Sequence, residues 1–289
     1  MPAVEPPPSA ENDPATPTEH ASAVEAVDST EATASAEQAA VSQPRRRRVI
    51  RNGVIALVAL LIVAIAAMLV WANVGVMQAE QGALDSVRSN PAVSVTENSN
   101  SFILTPTGDA TGDGLVFIPG AKVSADAYLY KLSGAVAQSG LTIIVTKPIL
   151  NLAFFDQRSL ETFTSAAPDV ANWYVGGHSL GGVRACQYAE QPDVSGLVLL
   201  GSYCANDLAA VDTRVVSLSG SNDLLSTPEK IMDAADLLPM STTFVPINGA
   251  NHASFGDYGV QAGDGVATLD SSVVREVIAA EIDTFLNNG

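Results

Sequence analysis

The residues from Gly53 to Val76 contain no charged side chain, and this stretch limits the possible folds of the 289-residue chain more than any other feature. A helix of about 20 apolar residues can cross a bilayer, because it satisfies its own backbone hydrogen bonds in lipid. Arginines at positions 45–48 and 51 precede the stretch. We therefore predict a basic flank and transmembrane helix over residues 45–77, with the span at 53–76.

The charges on the two sides of this helix predict its orientation. Residues 77–100 contain Arg88 as their only cation, whereas five arginines precede the span. Because basic residues stay on the cytoplasmic side, we expect a single-pass cell-membrane protein with a cytoplasmic N-terminus and an extracytoplasmic C-terminal part. A cleaved secretory signal is an alternative, but the 44 residues ahead of the arginines favour an uncleaved signal-anchor. The arginine cluster argues against a buried helix of a soluble protein.

The composition on either side of the helix predicts three further regions. Residues 1–44 carry eight acids and no Lys, Arg or aromatic residue, so they are predicted to be a disordered acidic tail, with an interaction tail as the alternative. Residues 78–92 are interpreted as a linker and residues 93–289 as one folded domain. Residues 90–289 hold 21 acids against 8 Lys and Arg, which excludes a basic surface for nucleic acid and favours a small neutral substrate.

Short β-branched runs alternate with helical stretches after residue 92, which is typical of an α/β domain with a mostly parallel sheet. The predicted helices lie near residues 124–139, 151–166, 180–191, 226–238 and 271–286. The predicted strands are "AVSVTE", "SFILTP", "GLVFIPG", "LTIIVTKP", "WYVGGHS", "SGLVLLGS", "RVVSLSGS" and "TTFVPING". The first two can pair as a hairpin around "NSNS".

The stretch "GGHSLGG" places Ser179 between a predicted strand and a predicted helix. A nucleophile elbow needs this setting, because its strained turn brings neighbouring backbone close and requires small residues two positions before and after the serine. Gly177 and Gly181 meet that requirement. Ser179 is therefore the predicted nucleophile.

A serine nucleophile needs a base, and the chain has only three histidines. His20 lies in the tail across the membrane, and His178 adjoins the serine on the elbow, where its side chain is expected to point away. His252 remains, in the glycine-rich loop after the last predicted strand. It is the predicted base.

The carboxylate that orients the base is predicted to be Asp223, at the end of the preceding strand. The chain order Ser179, Asp223, His252 is the order expected for this type of elbow. Three other aspartates are candidates: Asp207, Asp212 and Asp257. The first two are interpreted as solvated turn residues, and the third as a residue that shapes the loop or contacts substrate.

An oxyanion hole requires two converging N–H donors. One is predicted to be the backbone amide of Leu180, which follows the nucleophile. The other is predicted in the loop after "GLVFIPG", at Ala121, with Lys122 as the second choice. Cys186 and Cys204 lie in the outward domain, where a disulfide and two buried thiols are both possible.

Together these stretches resemble the α/β-hydrolase superfamily, and in particular its compact branch without a cap, α/β-hydrolase family 5, which is similar to dienelactone hydrolase. The matching stretches are "FIPGAKVSADAY", "KPILNLAFF", "GGHSLGG", "GLVLLGSY", "GSND" and "NGANHASFGDYG". The resemblance implies an eight-stranded, mostly parallel sheet with helices on both faces. It also implies hydrolysis of an ester or related acyl bond with no metal and no organic cofactor. Dienelactone hydrolases use a cysteine nucleophile, so the serine here leaves dienelactone specificity in doubt.

The sequence thus predicts a membrane-anchored serine hydrolase, most simply a carboxylic ester hydrolase, acting on a small-molecule acyl substrate. No helical insertion follows "GLVLLGSYC", so we expect an open, shallow site. A catalytically inactive binding protein with a hydrolase fold is the alternative outside the enzymes. Among enzymes, a peptidase, thioesterase or perhydrolase could use the same three residues. The substrate and the oligomeric state are left open.

Overall fold

The structure is a computed structural model that describes the backbone of residues 30–288 and the side chains of residues 45–288. It divides into two units, Met1–Ile62 and Val63–Gly289. The first helix, α1, runs from Thr30 to Asn73, and its part Arg45–Asn73 is long and apolar enough to cross a membrane by length and composition. Its end at Asn73 is three residues before the predicted end of the span.

Helix α1 begins inside the segment predicted to be disordered. Residues 1–29 of that predicted tail lie outside the described residues, but residues 30–44 are helical. The stretch "TEATASAEQAA" is rich in Ala and Glu, which have high helix propensity. The prediction of disorder was therefore wrong for residues 30–44.

The segment interpreted as a linker also contains ordered structure. A helix, α2, spans Gln81–Arg88 and buries Leu84 and Val87 in the core. Ahead of it, the Met77 amide donates to the Lys122 carbonyl at 2.8 Å. An amphipathic turn of only two apolar residues is a weak sequence signal, which explains why the helix was not predicted.

Eight strands form one sheet in the order β1-β2-β4-β3-β5-β6-β7-β8. Strands β3 to β8 are parallel, whereas β2 pairs antiparallel with both β1 and β4, as expected for a hairpin at the sheet edge. This confirms the predicted α/β fold class. The bounds are β1 Val93–Glu97, β2 Ser101–Pro106, β3 Asp113–Ile118, β4 Thr142–Thr146, β5 Asn172–His178, β6 Val194–Leu200, β7 Arg214–Gly220 and β8 Thr243–Ile247.

The helices that follow the strands are α3 Leu129–Ser139, α4 Glu161–Thr164, α5 Leu180–Tyr188, α6 Pro228–Asp233 and α7 Ser271–Asn287. The helix predicted at 151–166 is wrong in most of its length. Short 3₁₀ turns occupy Ile149–Asn151 and Ala153–Phe155, and only Glu161–Thr164 is α-helical. Asn151 has a φ of 55° and its carbonyl accepts from the Lys122 amide, so a tertiary contact replaces the helical hydrogen bond there.

The hydrophobic core forms two layers, one on each face of the sheet. Along β3, Leu115 and Phe117 pack on the face covered by α3 and α7, while Val116 and Ile118 pack on the face covered by α5. This alternation follows from the two-residue period of a strand. Burial on both faces explains why the central strands read as continuous apolar runs.

Candidate active site

Ser179 lies at the turn from β5 to α5, with a φ of 53° and a ψ of −126°. A non-glycine residue rarely adopts this conformation, so the surrounding structure must impose it. A Cβ added at Gly177 would lie 2.4 Å from the Gly181 carbonyl carbon, and one added at Gly181 would lie 2.0 Å from the Ile118 oxygen. Both positions therefore require glycine, which confirms the predicted reason for the motif.

The turn is also held from the neighbouring strand. The Ser179 amide donates to the Leu200 carbonyl at 3.2 Å, and the Ser202 hydroxyl donates to the Ser179 carbonyl at 2.7 Å. A Cβ at Gly182 would lie 2.3 Å from that hydroxyl oxygen, so the second glycine of "LGG" makes room for Ser202. The sequence analysis did not identify Ser202, because its contact joins residues that are 23 positions apart.

The structure places His252 beside Asp223. The imidazole Nδ1 lies 2.7 Å from the Asp223 Oδ2, and both side chains are fully buried. The other carboxylate oxygen, Oδ1, accepts from the amides of Leu225 and Ser226 at 2.8 and 2.7 Å. These hydrogen bonds satisfy the buried carboxylate and fix its orientation toward the imidazole.

The remaining aspartate candidates lie elsewhere. Asp207 and Asp212 are exposed turn residues, as predicted. Asp257 is buried, and its Oδ1 accepts from the Lys131 ammonium at 2.6 Å. Burial lowers the pKa of Lys131, while the charge of Asp257 raises it. This ion pair fixes the loop that follows His252, so the loop-shaping interpretation of Asp257 fits its contacts.

Asp264 holds the backbone of the histidine loop, and the sequence analysis missed it. Its carboxylate accepts from the amides of His252 at 3.1 Å, Ala253 at 2.9 Å and Gly265 at 2.7 Å. It thereby accepts from the first two amides of the 3₁₀ turn His252–Phe255, whose N-cap residue is Asn251. An aspartate at the start of such a turn is a recognisable signal, but Asp264 acts from 12 residues downstream, where no local pattern reveals it.

His178 contacts the site more closely than predicted. Its ring centroid lies 4.4 Å from that of His252, so the expectation that its side chain points away was wrong. Its Nδ1 lies 2.9 Å from the Tyr128 hydroxyl, which also accepts from the Gly120 amide at 2.9 Å. Burial holds the pKa of His178 well below its usual range, and the neighbouring His252 acts in the same direction. His178 is therefore neutral.

Tyr128 and His178 thus connect three loops of the site. Burial raises the pKa of the Tyr128 phenol, which keeps it protonated. A hydroxyl that accepts from the Gly120 amide has its proton available for the His178 Nδ1. The network joins the loop after β3, the elbow and the ring of the base.

Two of the three amides considered for the oxyanion hole, those of Leu180 and Ala121, are free to donate to a substrate, whereas the Lys122 amide is not. The Lys122 amide donates to the Asn151 carbonyl at 2.8 Å, so that donor is already occupied. Within residues 30–288, no acceptor is found for the amides of Ala121 and Leu180. Leu180 is the first residue of α5, where backbone N–H groups lack helical partners. This favours Ala121 over Lys122.

Ser179, Leu180 and His252 line one pocket of about 250 Å³. Its other walls are Val183, Ser202, Tyr203, Leu225, Ser226 and Gln261. Residues 201–213, where a cap could be inserted, are described throughout and contain no helix. Among the side chains of residues 45–288, no group of three His, Cys, Asp or Glu is placed to hold a metal ion.

A disulfide joins the two cysteines near the elbow. Cys186 on α5 is bonded to Cys204 in the loop after β6, and their Cα atoms are 5.6 Å apart. Of the two alternatives left open by the sequence, the structure contains the bonded pair. The bond ties the elbow helix to the loop that carries Ser202.

Comparison with known proteins agrees with this geometry. A sequence model described as the alpha/beta hydrolase family matches residues 114–276, which is more than half of the chain. The chain belongs to the alpha/beta hydrolase family. Among curated proteins, none matches the sequence of this hydrolase.

Solved structures match the hydrolase at low sequence identity. The structure m3DLH matches with a TM-score of 0.52 at 14% identity, over 68% of this chain and 98% of its own. An alpha-beta serine hydrolase homologue from Coxiella burnetii matches with a TM-score of 0.48 at 12% identity, over 67% of this chain and 98% of its own. Est1E from Butyrivibrio proteoclasticus matches with a TM-score of 0.48 at 10% identity, over 68% of this chain and 99% of its own. The similarity to m3DLH supports the fold alone.

Proposed function

We propose that this hydrolase is a membrane-anchored serine hydrolase that cleaves an ester or a related acyl bond. The observation that carries the proposal is that His252, paired with the buried Asp223, lines the same pocket as the strained Ser179. A buried carboxylate bonded to Nδ1 leaves Nε2 of the imidazole as the basic nitrogen, which is the arrangement that activates a serine.

The chemistry would proceed in two steps. His252 takes the Ser179 hydroxyl proton as Oγ bonds to the acyl carbon, and the amides of Leu180 and Ala121 donate to the oxyanion. The bond to the leaving alcohol then breaks, and that alcohol receives the proton from His252. Water attacks the acyl-enzyme by the same route and releases a carboxylic acid.

The anchoring rests on the apolar helix. Side chains from Arg45 to Trp71 are exposed, although those from Gly53 onward are uncharged. A helix that is apolar on all sides favours a lipid environment. The arginines before it favour a cytoplasmic N-terminus and an extracytoplasmic hydrolase domain.

A fluorophosphonate probe tests the nucleophile. We expect the full-length protein in detergent to be labelled and to hydrolyse p-nitrophenyl acetate, and Ser179→Ala to lose both properties. Ser221→Ala is the matched control, because Ser221 lies in a loop at the same sheet edge but does not line the pocket. Labelling of Ser179→Ala equal to the parent would refute the assignment.

Extraction and reporter fusions test the anchor. We expect the full chain to remain in the membrane fraction after alkaline carbonate, and a C-terminal alkaline phosphatase fusion to be active. Release of the protein into the supernatant would refute the anchoring, and an inactive fusion would refute the orientation.

A further inference from the structure

The exposed apolar side chains of the hydrolase domain are concentrated at its catalytic edge. Strands β3 to β8 are parallel, so the loops at their carboxyl ends meet at one edge, where Ser179 and His252 also lie. Of nine exposed large apolar side chains in residues 79–288, six lie in the loops after β4, β7 and β8. We call these six the apolar rim: Ile149, Phe154, Phe155, Leu224, Val260 and Val266.

Parts of the apolar rim adjoin residues and elements that line the pocket. The turn that carries Phe154 and Phe155 packs against α5, the helix that begins after Ser179. Leu224 precedes the pocket residue Leu225, and Val260 precedes the pocket residue Gln261. Phe154 is 70% exposed and Val260 95% exposed. Single exposed apolar side chains are common, but their concentration at one edge of the domain indicates an interaction surface.

The apolar helix ends at this same edge. The Lys122 ammonium donates to the Trp71 carbonyl at 2.9 Å and lies 4.6 Å from the centroid of the Trp71 ring. The Asn151 side-chain amide donates to the Ala72 carbonyl at 3.4 Å. Lys122 adjoins Ala121 in the loop after β3, and Asn151 lies between Ile149 and Phe154. The last turn of the helix is therefore bound to loops of the site and of the rim.

Charge argues that the contact made by this edge is apolar. The 21 acids and 8 Lys and Arg of residues 90–289 give the domain a strongly negative balance. Attraction to anionic lipid requires a cationic surface, which this composition does not supply. Exposed aromatic and aliphatic side chains, by contrast, enter the interfacial region of any bilayer.

We propose that the apolar rim rests in the interfacial region of the bilayer that holds α1, and that the pocket takes its substrate from that bilayer. The substrate class is an amphiphile with a long acyl chain in ester linkage. Ser179 Oγ bonds to the acyl carbon, the ester C–O bond breaks, and the alcohol leaves with the proton carried by His252. This inference rests on the proposed anchored hydrolase.

An environment-sensitive fluorophore tests the contact without requiring catalysis. The full chain is reconstituted in phosphatidylcholine vesicles as Phe154→Cys or Met240→Cys, each labelled with a nitrobenzoxadiazole maleimide. Met240 is the matched control, because it is fully exposed and precedes β8 at the opposite edge of the sheet. We expect blue-shifted emission and quenching by nitroxide lipid at position 154 only. Equal emission and quenching at the two positions would overturn the proposal.

Two substrates test where the acyl group comes from. We expect Phe154→Ser combined with Phe155→Ser to hydrolyse dissolved p-nitrophenyl acetate like the parent, and vesicle-embedded p-nitrophenyl palmitate about tenfold more slowly. Met232→Ser combined with Met240→Ser is the control and should leave both rates unchanged. Unchanged palmitate hydrolysis, or an equal loss on both esters, would overturn the proposal. A parent that hydrolyses neither ester would refute the proposed hydrolase, and the fluorophore would still decide the membrane contact.

Discussion

The elbow and the histidine loop hold their functional groups in two different ways. Ser179 is positioned by backbone packing, since Gly177 and Gly181 lie so close to other chain segments that no Cβ fits. His252 is positioned by hydrogen bonds that its ring and its backbone amide donate to the carboxylates of Asp223 and Asp264. The comparison teaches that a site can combine a sterically imposed turn with a loop whose geometry depends on polar side chains. The two regions should therefore fail differently when they are mutated.

The largest expected effect comes from the carboxylate of Asp223, in the loop after β7, which contacts the His252 ring. Asp223→Asn keeps the size of the side chain but favours the wrong tautomer of His252, so we expect kcat on p-nitrophenyl acetate to fall by about 10⁴-fold. The fold should be retained, as measured by circular dichroism. Asp207→Asn, on an exposed turn, is the control and should leave kcat unchanged. A fall of less than tenfold for Asp223→Asn would argue against its role.

The elbow should lose stability as well as activity. In Gly181→Ala the new Cβ would meet the Ile118 carbonyl, so we expect a loss of about 3 kcal/mol in the free energy of unfolding, together with loss of fluorophosphonate labelling. The measurement is denaturant unfolding in detergent. Gly82→Ala is the matched control, because a Cβ there meets nothing within 4 Å and should stabilise α2 by up to about 1 kcal/mol. Equal stability of the two variants would remove the steric explanation.

The third prediction concerns Asp264, whose removal should loosen the histidine loop while leaving the side chains of Asp223 and His252 in place. Asp264→Ala leaves four backbone amides without this acceptor, including those of His252 and Ala253, so we expect about 1–3 kcal/mol lower stability. We also expect kcat to fall, because His252 is then less well positioned. Ser179 should still be labelled by the fluorophosphonate, but at a lower rate. Asp233→Ala, on the exposed end of α6, is the control. If kcat of Asp264→Ala equals that of the parent, the position of His252 does not depend on the Asp264 carboxylate.

The smallest expected effect is on the free energy of unfolding at acidic pH. It tests the contact between His178 on the elbow and His252 in the histidine loop. Burial lowers the folded-state pKa of His178, so the unfolded chain binds the additional proton below its ordinary pKa of about 6.5. Stability is therefore retained above that pH and falls as the pH decreases. From pH 7.5 to 5.5 we expect His178 to contribute about 1.4 kcal/mol of destabilisation.

The control for this prediction is His178→Asn, which should be less stable overall but should lose that part of the pH dependence. The difference between the parent and the variant measures the contribution of His178 together with its effect on the neighbouring His252. Parallel unfolding curves against pH for the two proteins would contradict a neutral, buried His178.

The sheet could be predicted from the sequence because the pattern that indicates a strand lies within a few consecutive residues. The apolar runs of β3 and β5 and the glycines around Ser179 report a buried strand and a close backbone approach within a few residues of each other. The helix predicted at 151–166 failed for the opposite reason. Asn151 adopts a positive φ and accepts from the Lys122 amide, a contact over 29 residues that no local pattern announces.

The candidate site divides along the same line. Ser179, Asp223 and His252 could be selected from chain order and residue type, whereas Asp264, Tyr128 and Ser202 could not. Each of these three acts on a residue that lies distant along the chain, and each has an ordinary residue type in an ordinary context. Their positions depend on how the loops after different strands meet at one edge of the sheet.

The sequence by itself determined the apolar helix, the α/β alternation and the small residues that an elbow requires, because period, composition and backbone sterics are local properties. Only the tertiary structure decided that Cys186 bonds to Cys204, that His178 lies against His252, and that the end of α1 binds the loops of the site. Those contacts join parts of the chain that are brought together only when parallel strands align their carboxyl ends.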